Sequence, residues 1–248
     1  MHRFYIAPQN IDKGLIQLSA EEAKHAFSVL RFKKNDKINV FDGVGNSYIG
    51  LIKSLNRKSG VILIQKRRIA PKSKYEIVLA SAIPKHSKFE DIIDVATQIG
   101  VQEIIPLFTQ RTIVKISAEK QKLKQDRWQK IAINSAKQAQ VEYTPQITLP
   151  TDFSSAINKA DSFDIALILS LQKNNLPLKK ILQPQNGKKK KSCKSIIIFI
   201  GPEGDFTDQE ITQAKKKGCI GVSLGENVLR CQTAASKILS IINYEWKE

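Results

Sequence analysis

Hydrophobic and polar positions alternate in the first part of the chain. "KINVFDGVGNSYIGLIKSL" (37–55) does so on both sides of the turn-rich "DGVGN", and "GVILIQKRRI" (60–69) adds another strand. A period of two marks strands with one face on a core and the other toward water. Before them, "SAEEAKHAFSVLRF" carries Ala23, Ala26, Phe27 and Leu30 at helical spacing. Ser19 and Glu22 stand in front as an S-x-x-E capping box. Residues 1–70 therefore read as a small β-barrel domain with one helix. "DGVGNS" lies between hairpin strands and lacks a third glycine in register, so it reads as a turn and not as a nucleotide loop.

After a linker, "APKSK" (70–74), the pattern changes to strands alternating with helices through residues 71–248. "EIVLASAI", "VQEIIPLF", "FDIALILS", "KSIIIFI" and "CIGVSLG" read as strands. "SKFEDIIDVATQIG" reads as a helix capped by Ser87 and Glu90 and stopped by Gly100. Its apolar stripe is Phe89, Ile92, Ile93, Ala96 and Ile99. "SAEKQKLKQDRWQKIAINSAKQAQ", "TDQEITQAKKKG" and "QTAASKILSIINYEW" read as further helices. Such βα repeats predict an α/β fold, a mostly parallel sheet covered by helices. The lysine run in "PQNGKKKKSCKS" (184–195) reads as a solvated loop.

Two glycine-bearing loops leave these strands. "FIGPEGDFTDQE" (199–210) ends a strand in Gly201, Pro202, Glu203 and Gly204, then enters a helix through a Thr207/Glu210 capping box with Phe206 and Ile211 as a hydrophobic staple. It is either a plain βα turn or a place where backbone approaches a ligand, as at the carboxyl ends of parallel strands. "VSLGENVLRCQTAAS" (222–236) repeats the design around Gly225. Its Arg230 stands just before a helix N-terminus, where the dipole favours anions. A cation there suggests an anionic ligand such as phosphate, or else a surface arginine or one paired with Glu226.

Composition sharpens the choice of partner. Lys and Arg number 40 against 23 Asp and Glu, a net charge of +17. That excess points to a polyanion, foremost nucleic acid. Around the front domain the cations are Arg3, Lys24, Arg31, Lys33 and Lys34. The three cysteines form no CxxC and the three histidines no metal-ligand spacing, so neither a disulfide framework nor a metal site is expected. No apolar run approaches the ~20 residues of a membrane helix. The expected location is the cytoplasm, with no membrane partner.

Taken together and in order, "FIGPEGDFTDQE" and "SLGENVLRCQTA" resemble the paired signatures of the SPOUT methyltransferases. The closer resemblance is to the bacterial 16S ribosomal RNA uridine-N3 methyltransferases. It extends to "HRFYI", "EEAKHAFSVLR" and "INVFDGVG", similar to that family's PUA-like RNA-binding domain. "AIPKHSKFEDIIDVATQIGVQEIIPLFTQRT" and "RWQKIAINSAKQA" match its middle section. The resemblance implies a deep trefoil knot that holds S-adenosylmethionine. It implies a cofactor pocket of Ile200, Gly201, Pro202, Glu203 and Gly204 with Ser223, Leu224, Gly225, Val228 and Leu229. It makes Arg230 the candidate catalytic residue and adds Lys85, Lys88 and Arg111 to the RNA-binding cations. It implies ribosomal RNA of the small subunit as partner. It also implies a homodimer, for which Ile238, Ile241, Ile242 and Trp246 offer a contact face. The chain departs from the family pattern at Asp205, where a glycine is usual, at Gln98 and Gln232, where glutamate is usual, and at Val141, near an expected arginine. The competing readings are a non-catalytic RNA-binding or ribosome-assembly protein on the same fold, and a SPOUT enzyme with another RNA target.

Overall fold

A computed structural model describes residues 2–85, 88–182 and 193–247. The chain divides into two compact units, Met1–Lys72 with Ile133–Thr144, and Ser73–Ala132 with Pro145–Glu248.

The first unit holds strands β1 (Arg3–Tyr5), β2 (Ile11–Asp12), β3 (Leu15–Leu18), β4 (Lys37–Phe41), β5 (Asn46–Leu55) and β6 (Gly60–Ile69) and the short helix α1 (Ala20–Lys24). The strands form one sheet in the order β1-β4-β5-β6-β3-β2. The expected hairpin is β4–β5, paired antiparallel from Lys37–Leu51 to Phe41–Ser47. Its turn closes on the buried Asp42, whose carboxylate accepts the N–H groups of Val44 (3.0 Å) and Asn46 (2.9 Å). Gly43 (φ 75°) and Gly45 (φ 106°) supply the left-handed backbone this turn needs. "DGVGNS" is thus a turn, as its context predicts.

The helix departs from the expectation at two points. Ser19 caps it by accepting from the Glu22 N–H, but the Glu22 carboxylate does not return the bond. It is buried and pairs with Lys137 at 2.7 Å. After Lys24 the backbone widens to π-helical turns over His25–Val29. The extra residue per turn rotates the apolar stripe, so Ala23 and Ala26 are buried while Phe27 is 40% exposed. Residues 133–144 complete this unit. The Tyr143 hydroxyl donates to the Ala70 carbonyl (3.0 Å) and the Gly45 N–H to the Glu142 carbonyl (3.1 Å).

The second unit contains β7 (Glu76–Ala82), α2 (Phe89–Ile99), β8 (Glu103–Phe108), most of α3 (Ala118–Ala139), β9 (Gln146–Ile147), β10 (Thr151–Asp152) and α4 (Phe153–Ala156). It continues with β11 (Ile165–Leu169), β12 (Leu176–Pro177), α5 (Leu178–Leu182), β13 (Ser195–Ile200), α6 (Asp208–Lys216), β14 (Ile220–Ser223) and α7 (Cys231–Lys247). The sheet runs β10-β8-β7-β13-β11-β14-β12, with β9 on β8, and every pair is parallel. Both faces are buried. Along β13, Ile196, Ile198 and Ile200 enter the core beneath α2 and α7, and Ile197 and Phe199 enter the core beneath α4 and α6. A central strand covered on both sides has to be continuously apolar, which is why "IIIFI" shows no alternation.

On α2, Phe89, Ile92, Ile93 and Ala96 are buried as the stripe predicts, and Gly100 ends the helix at φ 91°. Its proposed cap, Ser87, lies outside the described residues, as does most of the lysine-rich segment (residues 184–192). The α6 capping box is complete, with Thr207 and Glu210 each accepting the other's backbone N–H. On α7 the apolar stripe is not a free contact face. Ile238 and Ile242 are fully buried in the chain's own core, because α7 packs on α2. Ile241 and Trp246 are partly buried against the same cluster. Among the described residues no helix is long and apolar enough to cross a membrane.

Candidate functional site

Parallel β13, β11 and β14 are consecutive neighbours in the second sheet, so their carboxyl ends release three loops side by side. Open parallel sheets place ligands at such an edge. Between the loops lies a cavity of about 420 Å³. It is lined by residues 169–172, 200–203, Asp205, 222–231 and Ala234. Nine of the ten residues proposed for the cofactor line it: Ile200, Gly201, Pro202, Glu203, Ser223, Leu224, Gly225, Val228 and Leu229. Gly204 does not line it. Leu169, Ser170, Leu171 and Gln172 do, and sequence reasoning missed them. Their only signal was that "FDIALILS" is as apolar as "KSIIIFI", which makes them candidates for adjacent buried strands.

The loops are held by specific bonds. Arg111 Nη1 donates to the Gly204 carbonyl at 2.6 Å and to that of Phe206 at 3.3 Å. The Arg111 guanidinium is therefore engaged with the first glycine loop. The Gln110 N–H beside it donates to the buried Glu210 carboxylate (2.9 Å), joining this anchor to the α6 cap. Glu203 Oε1 accepts the Lys85 N–H at 3.1 Å. The Lys85 side chain is exposed and Lys88 is half-buried at the start of α2. Lys237 Nζ closes the third loop on the Leu224 carbonyl at 2.7 Å.

Asp205 explains its own departure from glycine. Its backbone is left-handed (φ 60°), the conformation a glycine would adopt freely. The carboxylate offsets that strain by accepting the Phe206 N–H (2.8 Å) and, from the loop after β11, the Leu171 N–H (2.8 Å). Of the four departures only Asp205 lines the cavity. Gln98 is exposed on α2, bonded to Asp94 (2.8 Å), and Gln232 is half-buried in the first turn of α7. Val141 belongs to the other unit.

Arg230 sits at the cavity edge, where its carbonyl accepts the Ala234 N–H at 2.9 Å as α7 begins. Its side chain is exposed and has no hydrogen-bond or ion-pair partner among the described residues; the alternative pairing with Glu226 is not made. The next residue, Cys231, is buried and donates to the Gly201 carbonyl (3.3 Å). Burial first, then the Glu203 carboxylate, push its thiol up to about 11. It is a protonated packing group and not a nucleophile.

In the first unit the proposed RNA-binding cations divide. Lys24, Arg31, Lys33 and Lys34 are exposed. Arg3 is not a free cation. Its side chain is 9% exposed, pairs with Glu142, donates to the Val141 carbonyl (3.2 Å) and covers the Phe41 ring at 4.2 Å. Desolvation by burial lowers its pKa to about 10.

Residues 71–243 match the family described as RNA methyltransferase domain, and residues 18–65 match the RNA methyltransferase PUA domain. A ribosomal RNA small subunit methyltransferase E from Mesomycoplasma hyopneumoniae is 33% identical over 97% of this chain and 98% of its own. The chain belongs to this family. Its relative of the same name from Synechocystis is 30% identical over 98% of this chain and 77% of its own. Among solved structures, a putative methyltransferase from Legionella pneumophila in complex with the cofactor SAM has a TM-score of 0.87 at 28% identity, covering 98% of this chain and 97% of its own. The ribosomal RNA small subunit methyltransferase E from Neisseria gonorrhoeae, bound to S-adenosyl methionine, has a TM-score of 0.85 at 26% identity, covering 99% and 98%. The fold is thus the α/β methyltransferase unit with an N-terminal PUA-like domain.

Proposed function

We propose that the chain methylates N3 of a uridine in small-subunit ribosomal RNA with S-adenosylmethionine as donor. The observation that carries this is the three-loop cavity with an exposed Arg230 on its rim, without a side-chain partner among the described residues. The donor set suits the cofactor. Leu169, Ile200, Val222, Leu224 and Leu229 give apolar wall for a purine, while Glu203, Asp205 and Glu226 give carboxylates for a cationic sulfonium amino acid. The volume lies within the usual small-molecule range of about 300–1,000 Å³. The relatives solved with bound S-adenosylmethionine support the same cofactor.

When bound, S-adenosylmethionine supplies a methyl group made electrophilic by its sulfonium. This chain's residues do the rest. The loop bonds from Arg111, Asp205 and Lys237 hold the cavity in shape before any ligand arrives. Arg230 meets either an RNA phosphate or the negative charge that develops as uridine N3 loses its proton. The base reaches the cavity from a loop or by extrusion from its stack. The reading includes a trefoil knot around these loops, a homodimer and a cytoplasmic location, all supported by family resemblance.

Two measurements test it. Calorimetry on the purified chain should give saturable S-adenosylmethionine binding. Mass spectrometry of small-subunit rRNA from a deletion strain should lack one 3-methyluridine, restored by the wild-type chain and not by an Arg230→Ala chain. Binding of rRNA without any methyl transfer would favour a ribosome-assembly protein instead.

A further inference from the structure

Arg3 is engaged by Glu142, while the sheet of the same unit displays further cations that the sequence did not single out. Register places Arg3, Asn39, Ile49 and Lys66 in one row across β1, β4, β5 and β6. Tyr5, Phe41, Ser47 and Arg68 form the next row on the same face. The intervening residues Phe4, Val40 and Tyr48 belong to the core. On the outer face lies a groove of about 370 Å³, whose lining includes Arg3, Asn39, Ser47, Ile49, Lys66 and Arg68, with Gln140 and Glu142 at its border.

The charges in this groove are unequal. Glu142 is already paired with Arg3. Arg67, between the two groove cations in sequence, is tied to Asn46 Oδ1 (3.1 and 2.7 Å). Lys66 and Arg68 are exposed, and among the described residues their side chains have no partner. Two residues apart on a strand, their Cα atoms are about 7 Å apart, close to the step between phosphates of an extended RNA strand. In the first row, paired with Lys66, Ile49 is 40% exposed, an apolar patch beside the two cations. Amides and a hydroxyl, from Asn39, Gln140 and Ser47, also line it.

We infer that this groove grips a single-stranded segment of the substrate RNA, with phosphates on Lys66 and Arg68 and a sugar or base face over Ile49. Phosphate contacts of this kind set register and supply affinity. The inference rests on the proposed RNA methyltransferase function and locates part of its substrate grip.

The test measures binding of a labelled small-subunit rRNA fragment to the full chain by fluorescence anisotropy, from 50 to 200 mM salt. Each single-strand phosphate contact contributes about 0.7 to the log–log slope. The double variant Lys66→Ala/Arg68→Ala should therefore lose about 1.4 of slope, and its affinity should fall about seven-fold less than wild type over that range. Lys66→Arg/Arg68→Lys should restore the slope, while S-adenosylmethionine affinity and Tm stay at wild-type values in both. An unchanged slope in the alanine variant overturns the groove assignment. So does wild-type binding to naked RNA combined with lost binding to assembled subunits, which would assign the groove to an acidic protein segment. A wild-type chain that binds no rRNA would instead overturn the functional reading itself.

Discussion

Replacing Asp205 by alanine and by glycine separates the two opposing effects at that position. The left-handed backbone at φ 60° costs an L-residue about 1–2 kcal/mol, and aspartate somewhat less because its side chain bonds locally. Against this stand the two bonds from Leu171 and Phe206, each 2.8 Å. Asp205 is only half-buried, so each bond is set at about 1 kcal/mol, within the usual net range. Alanine keeps the strain and loses both bonds, a loss of about 2 kcal/mol. Glycine loses the same bonds but relieves the strain, a loss of about 1 kcal/mol. The order of stability should be Asp, then Gly, then Ala. The difference between the last two is worth about 2–4 °C in the melting temperature of a domain this size. Differential scanning calorimetry of the three purified chains reads it directly. An alanine variant at least as stable as the glycine variant would refute the strain argument. A glycine variant more stable than wild type would show that the carboxylate bonds do not offset the strain.

Arg230→Ala should lower methyl transfer by about 30- to 1,000-fold, the effect of losing about 2–4 kcal/mol of transition-state stabilisation, with unchanged Tm because the side chain is exposed and has no partner among the described residues; wild-type turnover would remove it from the catalytic machinery. Glu210→Ala strands the Gln110 and Thr207 N–H groups and should cost about 2–4 kcal/mol, seen as a lower thermal midpoint, whereas a midpoint equal to wild type would contradict the cap's role in anchoring the Arg111 turn. Arg3→Ala leaves the Glu142 carboxylate poorly compensated and should destabilise by about 3 kcal/mol, and Arg3→Lys should recover only part of this; a variant with full stability but a reduced RNA salt slope would return Arg3 to the RNA surface. Because the Cys231 thiol is pushed up to about 11, any stability its burial confers is present below the ordinary thiol pKa and is lost as pH rises through about 11; peptide-resolved alkylation should keep increasing with pH up to that value, and a plateau near pH 9 would contradict the shift.

Long elements were legible because each carries its own local signal. The apolar run of β13, the stripe of α2 and the reciprocal Thr207/Glu210 cap all appear where the pattern predicts. What was not legible depends on partners far away in sequence. Arg3 reads as a surface cation in "HRFYI", and Glu142, the carbonyl of Val141 and the Phe41 ring explain its burial. Glu22 reads as the second half of a capping box, yet Lys137 takes its carboxylate. The loop after β11 joined the site because β11 lies between β13 and β14. No local window contains that strand order.

The glycines of the site show how one residue type can answer different demands. By sequence alone, all three permit close approach of backbone to a ligand. At Gly225 the demand is conformational, since φ is 124°. At Gly201 it is packing: a Cβ would lie 3.1 Å from the Phe206 ring and 3.2 Å from its backbone nitrogen. Phe206 is itself buried beside Phe153, so it has little room to yield. At Gly204 a Cβ would meet Arg111 at an ordinary 3.4 Å, and φ lies outside the left-handed region. Gly204 is therefore the glycine that alanine should replace with least disturbance, and Gly201 the one where the loop must move. The pocket is shaped by packing behind the loop as much as by ligand in front of it.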